Sequence, residues 1–232
     1  MAVQQDEDRR TLELLWGQRR ASSRGPQATL NVEKIALAAI KVADADGIDA
    51  VSMQRVAESL DFTKMSLYRH VAGKAELLAV MVEHAVGEPP DLRQVKGGWR
   101  PRVERWAASL SSTWDAHPWL PGVTAGSRVM GPREMAWSEE AVAALADTSL
   151  SAAERMDVVT LLSGHLRSTL TANVVGTQPW HEHGHIDLVR EHRERFPSLY
   201  ELGADRTRTP RQTRDFGLHC VLDGIENAIS QR

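Results

Sequence analysis

Apolar residues recur along this chain with the three- and four-residue spacing of amphipathic helices, and no stretch shows the alternation of a strand. The first clear stripe follows Asn31 and ends before Gly47; it consists of Val32, Ile35, Ala36, Ala39 and Val42. Asn31 is a good N-cap and Gly47 a good stop, so a helix is predicted between them. Helices are also predicted after Ser52, after Thr63 and from Lys74, the last ending before Pro89-Pro90.

The remaining chain continues the same pattern. Helices are predicted from Trp99 to about His117 and over 134–145, 152–174 and 215–229. Glycine and proline in 121–133 indicate an irregular connection, and 176–186 is predicted to be a polar loop. The predicted fold class is therefore all-α, with a small N-terminal helical domain followed by a larger C-terminal one.

Residues 52–74 have the pattern of a helix, a tight turn and a second short helix. Val56, Ala57 and Leu60 form the inward edge of the first helix, and Leu67 and Val71 that of the second. Asp61 stands in the turn, where a residue that tolerates positive φ is needed. The outward positions carry no acid between Phe62 and Lys74; they include Lys64, Met65, Ser66, Tyr68, Arg69 and His70. This favours a helix-turn-helix that enters the DNA major groove, with an ordinary αα-hairpin as the alternative.

Geometry assigns roles to these side chains. The tip of the second helix, Lys64 to Ser66, is where side chains reach base edges, with Lys64 favouring guanine and Met65 a thymine methyl. Ser52, Tyr68, His70 and Lys74 suit phosphates, and Gln54 suits adenine or a phosphate. The predicted DNA-binding set is Ser52, Gln54, Thr63, Lys64, Met65, Ser66, Tyr68, His70 and Lys74.

Composition limits the compartment and the kind of DNA contact. The chain has 232 residues and a net charge of −3, so attraction to DNA must come from a local basic patch. A single cysteine, Cys220, and the absence of a long apolar run predict a cytoplasmic protein with no membrane segment. Residues 1–28, with Arg19, Arg20 and Arg24, are predicted to be a flexible basic arm with a short helical piece in TLELLWGQ. Such an arm lies along the minor groove or the phosphates, or is a disordered tail.

The stretches LNVEKIALAAIKVADADGIDAVSMQRVAESL and MSLYRHVAGKAELL resemble the tetracycline-repressor (TetR) family of transcriptional regulators. LLWGQRR, HPWL and GPREMAW are similar to an actinobacterial subgroup. The resemblance implies a DNA-binding domain over 29–75 and a ligand-binding and dimerisation domain over 76–232. It implies a homodimer that binds a palindromic operator, most often as a repressor, and is released by a small-molecule effector. Gln54 replaces an Arg common in relatives, and Lys64 and Met65 are variable positions, so the operator sequence does not follow.

Tryptophan is the unusual residue of the C-terminal part, with seven in the chain. By the resemblance, Trp106, Trp114, Trp119 and Trp137 fall in the region that forms the effector pocket. Tryptophan suits a mostly apolar ligand with a few polar groups. The alternative is that these side chains belong to the hydrophobic core.

Two helices are predicted to form the dimer interface, near 155–172 and 215–229. The first carries Met156, Val159, Leu162, Leu166 and Leu170, with Gly164 permitting close approach. The second carries Leu218, Val221, Leu222, Ile225 and Ile229. Two such pairs form a four-helix interface about a two-fold axis. The alternative is that both stripes are buried within the monomer.

One alternative to DNA binding is a helical metal-binding protein or enzyme that uses His181, His183 and His185, because alternate imidazoles can bind a transition metal. No cysteine lies nearby to complete a zinc site. The other alternative is a small-molecule sensor whose DNA-binding surface has lost its function. No HExxH, Walker, GxGxxG or GxSxG motif occurs, so neither an enzyme nor a cofactor is predicted. The basic run 205–211 is predicted to be a solvated loop away from DNA.

Overall fold

The structure is a computed structural model that describes residues 2–17, 30–171, 185–204 and 209–232. The N-terminal helices are α1 (Ala2–Leu15), α2 (Val32–Asp46), α3 (Met53–Ser59), α4 (Lys64–Tyr68) and α5 (Lys74–Val86). The helices that follow are α6 (Trp99–Ala116), α7 (Leu120–Val123), α8 (Pro132–Ala144), α9 (Ala152–Thr171), α10 (His185–Glu191), α11 (Pro197–Ala204) and α12 (Pro210–Ser230). These residues contain no strand, which confirms the all-α prediction. The chain divides into two compact units, 1–159 and 160–232.

Helix α2 begins and ends where its sequence predicts. The Asn31 side chain accepts a hydrogen bond from the Lys34 N–H at 2.8 Å, which satisfies one of the free donors of the first turn. Gly47 ends the helix with φ of 84°, a backbone conformation that glycine adopts without a Cβ clash. The buried face, with Ile35 and Ala39 fully covered, packs against α5. Helix α2 is thereby the support on which the next helices rest.

The turn between α3 and α4 is a Schellman motif. The Phe62 N–H donates to the Ala57 carbonyl at 3.0 Å, and the Asp61 N–H donates to the Glu58 carbonyl at 3.2 Å. Asp61 has φ of 59°, the left-handed position that glycine usually fills in this motif. The prediction of a positive φ at Asp61 is confirmed. Leu60, expected at the buried edge, is only half-buried because it is the C-cap of α3.

In the larger domain, α5, α6 and α8 pack together around two tryptophans. The Trp106 indole N–H donates to the Trp137 carbonyl at 2.9 Å, and the two rings meet edge to face, with centroids 6.5 Å apart. The Trp137 N–H lies 3.2 Å from the carbonyls of both Val86 and Gly87, just where α5 ends. Each indole therefore covers apolar surface and also satisfies a backbone acceptor.

The N-terminus differs from the predicted flexible arm. Helix α1 is longer than the expected piece in TLELLWGQ and packs against α5, with Thr11 buried. The Trp16 indole, just after the helix, donates to the Met130 carbonyl at 3.3 Å. For residues 2–15 the structure differs from that expectation, since they form a helix that packs against α5, 59 or more residues away in sequence. Arg19, Arg20 and Arg24 lie outside the described residues.

Helix α12 begins at Pro210, five residues before the predicted start. Thr209 and Gln212 form a capping box, in which each side chain accepts from the other residue's backbone N–H. Helices α10 and α11 lie in segments for which no helix was predicted, and α7 interrupts the predicted irregular connection. His185 begins α10 and is not in an extended loop, while His181 and His183 lie outside the described residues.

The apolar stripes of α9 and α12 are about half covered within one chain. Five of the residues predicted for the dimer interface are buried in the monomer: Val159, Leu162, Leu166, Leu222 and Ile225. Other apolar side chains of these helices are exposed, among them Met156, Leu161 and Phe216, which are 46%, 53% and 57% accessible. Helices α9 and α12 are thus apolar on more than one face. Helical spacing had predicted a single apolar face for each of them.

Candidate nucleic-acid interface

Helix α4 presents a basic and apolar surface to solvent. Its N-cap Thr63 accepts from the Ser66 N–H at 3.2 Å, and the two hydroxyls lie 2.9 Å apart. Met65 is 69% exposed, and the Lys64 ammonium lies 5.7 Å from the centre of the Tyr68 ring. The inward side of α4 is Leu67, which is completely buried. The fold therefore brings Thr63 to Tyr68 together on one exposed helix tip, as a major-groove helix requires.

Ser52 and Gln54, on α3, already have intramolecular partners. The Ser52 hydroxyl caps α3 by accepting from the Arg55 N–H at 3.2 Å. The Gln54 amide donates to the Glu58 carboxylate at 2.6 Å. A phosphate or base bound by Gln54 must replace the Glu58 contact, a competition that the sequence did not indicate. Arg55 forms an ion pair with Asp46 at 2.5 Å, which joins α3 to the end of α2.

His70 and Lys74 stand at either end of the loop from α4 to α5. His70 is half-buried, and this burial, followed by repulsion from Arg69, lowers the pKa of its imidazole. The neutral ring can still donate one hydrogen bond to a phosphate. Lys74 is exposed at the first residue of α5. The buried Glu76 carboxylate accepts from the Ala72 N–H at 2.7 Å and so holds the loop that presents both residues.

The N-terminal helix α2 is joined to the segment that follows α6 by two side chains on one carboxylate. The Trp119 indole donates to Asp44 Oδ1 at 2.7 Å, and His117 Nδ1 donates to the same oxygen at 2.9 Å. Asp44 is in the last turn of α2, and His117 and Trp119 lie between α6 and α7. We call this group the Asp44 link. Its only sequence signal is a carboxylate on the polar side of α2.

The four tryptophans predicted to form a pocket are all buried in the structure. Trp106 and Trp137 use their N–H groups on backbone carbonyls, and Trp119 uses its N–H in the Asp44 link. This burial is what the alternative of core packing predicts, and the assignment of the four tryptophans to an effector pocket stays a prediction. A groove of about 480 Å³ lies elsewhere, and none of the four lines it.

No group of three potential metal ligands occurs within residues 2–17, 30–171, 185–204 and 209–232. Among the same residues, no helix combines the length and the apolarity needed to cross a bilayer.

Comparison with known proteins places this geometry in a family. Residues 35–81 match the model for bacterial regulatory proteins of the tetR family, and residues 90–229 match the Tetracyclin repressor-like C-terminal domain. The HTH-type transcriptional repressor DrrR1 of Streptomyces coeruleorubidus is 32% identical over 96% of this chain and 87% of its own length. An HTH-type transcriptional regulator of Saccharopolyspora erythraea is 28% identical over 63% of this chain and 62% of its own length.

Solved structures have the same fold. Apo ActR from Streptomyces coelicolor superimposes with a TM-score of 0.75 at 23% identity, covering 89% of this chain and 99% of ActR. ActR in complex with actinorhodin gives a TM-score of 0.74 at 23% identity, covering 88% of this chain and 98% of ActR. The two family matches together span both the helix-turn-helix and most of the remaining helices. The chain therefore belongs to the TetR family and is a transcriptional regulator with an N-terminal helix-turn-helix DNA-binding domain.

Proposed function

We propose that this protein is a repressor that binds a palindromic operator as a homodimer and is released when a small-molecule effector binds its C-terminal domain. The observation that carries the DNA-binding part is the exposed tip of α4, with Lys64, Met65 and Tyr68 accessible around a fully buried Leu67. No acidic residue lies between Phe62 and Lys74 to repel the phosphates.

The assignment of individual contacts follows from position. Lys64, Met65 and Ser66 read base edges from the helix tip, and Lys64 has a donor for guanine. Thr63, Tyr68, His70 and Lys74 contact the phosphates on either side, together with Ser52 at the start of α3. Gln54 contacts DNA after exchanging its bond with Glu58. These side chains cover few base pairs, so a second copy of the chain is needed to read a palindrome.

Exposed apolar side chains on α9 and α12 support the homodimer. Leu161 and Phe216 are each more than half accessible in the single chain. Large apolar side chains this exposed are common at protein interfaces. A two-fold arrangement of α9 and α12 from two chains covers them and is the dimer that we propose.

Release by an effector requires that effector binding alters the DNA-binding domain. A ligand shifts the protein between two states only by binding one of them more tightly. One of the similar solved structures is that of ActR in complex with actinorhodin. In this chain, α5 and the Asp44 link both run from the C-terminal domain to the DNA-binding domain.

The exposed, free Cys220 accords with a reducing cytoplasm, where the operator is found.

The direct test is a gel-shift assay with DNA from the protein's own upstream region, at about physiological salt and with excess competitor DNA. We expect a specific shift whose stoichiometry is two chains per operator. The same assay then screens small molecules for release. Absence of any specific shift, even at low salt, would contradict the proposal.

A further inference from the structure

An open groove of about 480 Å³ runs along α6, on the side opposite to its buried tryptophans. Its lining residues are Ala85, Arg105, Ala108, Ser109, Ser112, Thr113, Ala116 and His117. This volume is within the range of small-molecule sites. Arg105 and the C-cap His117 are twelve positions apart along α6, a length of about 18 Å at 1.5 Å per residue. The groove therefore has room for an elongated ligand.

The chemistry of the lining is specific. Alanine methyl groups form the apolar part, and Ser109, Ser112 and Thr113 add three hydroxyls. Arg105 supplies a permanent positive charge, and the lining residues that the structure describes include no carboxylate. In the part of the chain that the structure describes, the Arg105 guanidinium and the Ser112 hydroxyl have no hydrogen bond or ion pair. They are available to a ligand.

The position of the groove relates it to DNA binding. Ala85, in the last turn of α5, forms part of the wall of the groove. Helix α5 begins at Lys74, just after the loop that follows α4. His117 forms part of the lining and also donates to Asp44 in the link to α2. An occupant of the groove thus contacts both connections between the C-terminal domain and the DNA-binding domain.

We infer that this groove is the effector site, and that the effector is an elongated, oxygen-rich organic anion, such as a hydroxylated aromatic carboxylate. Its anionic group binds Arg105, its other oxygens bind the row of hydroxyls, and its flat surface lies on the alanine methyls. The regulatory role of this ligand rests on the proposed function. Binding of the anion to the groove does not depend on DNA.

Two fluorescent probes test the inference with the purified full-length protein. The first is 1-anilinonaphthalene-8-sulfonate, whose sulfonate represents the anionic group. The second is N-phenyl-1-naphthylamine, which has the same rings without the charge. We expect the wild type to bind the sulfonate more tightly, and Arg105→Gln to weaken it about ten-fold while leaving the neutral probe unchanged. Arg193→Gln, at an exposed arginine on another part of the chain, is the matched control and should change neither probe.

A second variant tests the location. Ser112→Leu fills the middle of the groove from an exposed position and should weaken both probes at least three-fold, with an unchanged unfolding temperature. Equal affinity of the wild type for the two probes, or unchanged sulfonate binding in Arg105→Gln, would overturn the inference. Probe selectivity without any operator shift would instead refute the proposed repressor and leave the binding site in place.

Discussion

The Trp119 indole N–H donates to Asp44 Oδ1 at 2.7 Å, across 75 residues of sequence. His117 Nδ1 shares that oxygen, so a single carboxylate of the DNA-binding domain accepts two donors from the following domain. Trp119 is buried and His117 is partly buried, whereas Asp44 is exposed, so water reaches the carboxylate. Hydrogen bonds to a charged group are nonetheless stronger than bonds between neutral groups. The link therefore restricts how α2 moves relative to the turn after α6.

The first prediction concerns this link. Trp119→Phe keeps most of the aromatic area and removes the donor, and it should lower the free energy of unfolding by about 1–3 kcal/mol. Urea unfolding of Trp119→Phe, Asp44→Ala and the double variant measures the coupling between the two residues. We expect the double variant to be clearly less destabilised than the sum of the two single changes. Strict additivity would show that the bond contributes nothing.

The second prediction separates base reading from phosphate binding. Lys74→Ala should weaken binding to all operators by a similar factor and lower the slope of log affinity against log salt by about 1. Tyr68→Phe should also weaken binding broadly. Lys64→Ala should instead change the preference among operator variants at one or two positions. Competition gel shifts at several salt concentrations measure both effects, with Lys96→Ala, an exposed lysine before α6, as the control. If all three variants bound like the wild type, the assignment of the DNA-contacting surface would be incorrect.

The third prediction concerns the left-handed residue of the helix-turn-helix. Asp61 has φ of 59°. This backbone conformation costs a residue with a Cβ about 1 kcal/mol, whereas glycine adopts it without that cost. Asp61→Gly should therefore leave stability equal or raise it by up to about 1 kcal/mol, whereas Asp61→Val should lower it by more than 1 kcal/mol. Thermal unfolding of the two variants checks the order. A more stable valine variant would be inconsistent with the Schellman turn.

The fourth prediction is a pH dependence at Glu83. This buried carboxylate accepts from the Arg133 N–H at 2.9 Å, and Oε2 has no hydrogen-bond partner among the described residues. Burial raises the pKa of Glu83 above its ordinary value of 4.5, although Arg133 partly offsets this. The folded protein then binds the proton more tightly than the unfolded chain does. The contribution of Glu83 to stability is complete below the unfolded pKa and is lost as pH rises through the folded pKa.

Glu83→Gln removes this titration while keeping an acceptor for the Arg133 N–H. The stability of the variant relative to the wild type should therefore increase as pH rises from about 4.5 towards neutrality. Urea unfolding at several pH values gives the difference directly. A difference that is constant with pH, or that falls as pH rises, would show that burial does not disfavour the charged form.

The fifth prediction tests the dimer. Leu161→Asp or Phe216→Asp places a charge at an exposed apolar position and should convert the dimer to monomer without unfolding it. Light scattering after size-exclusion chromatography measures the mass, and circular dichroism checks the fold. Leu37→Asp, a change at a similarly exposed leucine on α2, should leave the dimer intact. Dimers that persist in both α9 and α12 variants would mean that another surface mediates association.

Several features of the fold follow from the sequence alone because their causes are local. Asn31, Ser52 and Thr63 cap the helices predicted to follow them, since each cap needs only a side chain and an N–H three residues later. The turn at Asp61 and the exposed tip of α4 depend on residues within about ten positions of one another. The same short stretch carries the resemblance to the family that the comparisons confirm.

Other features depend on contacts between residues far apart in sequence. Residues 2–15 were predicted to be mostly a flexible arm, because the sequence does not show that this segment packs against α5 as helix α1. The resemblance to the family placed the four tryptophans in the region of the effector pocket, and helical spacing does not show what covers the face on which a side chain lies. Trp106 and Trp137 bury theirs against each other and against the end of α5.

Thus the sequence by itself determined the helices after Asn31, Ser52 and Thr63, their caps and the turn at Asp61, through interactions that span one or two turns. Tertiary structure decided which face of α6 is core and which is groove, because that depends on helices 20 to 50 residues away. It also decided that Asp44, a polar residue with no local role, joins the two domains. Helix spacing gives the direction of a side chain, and only packing gives its partner.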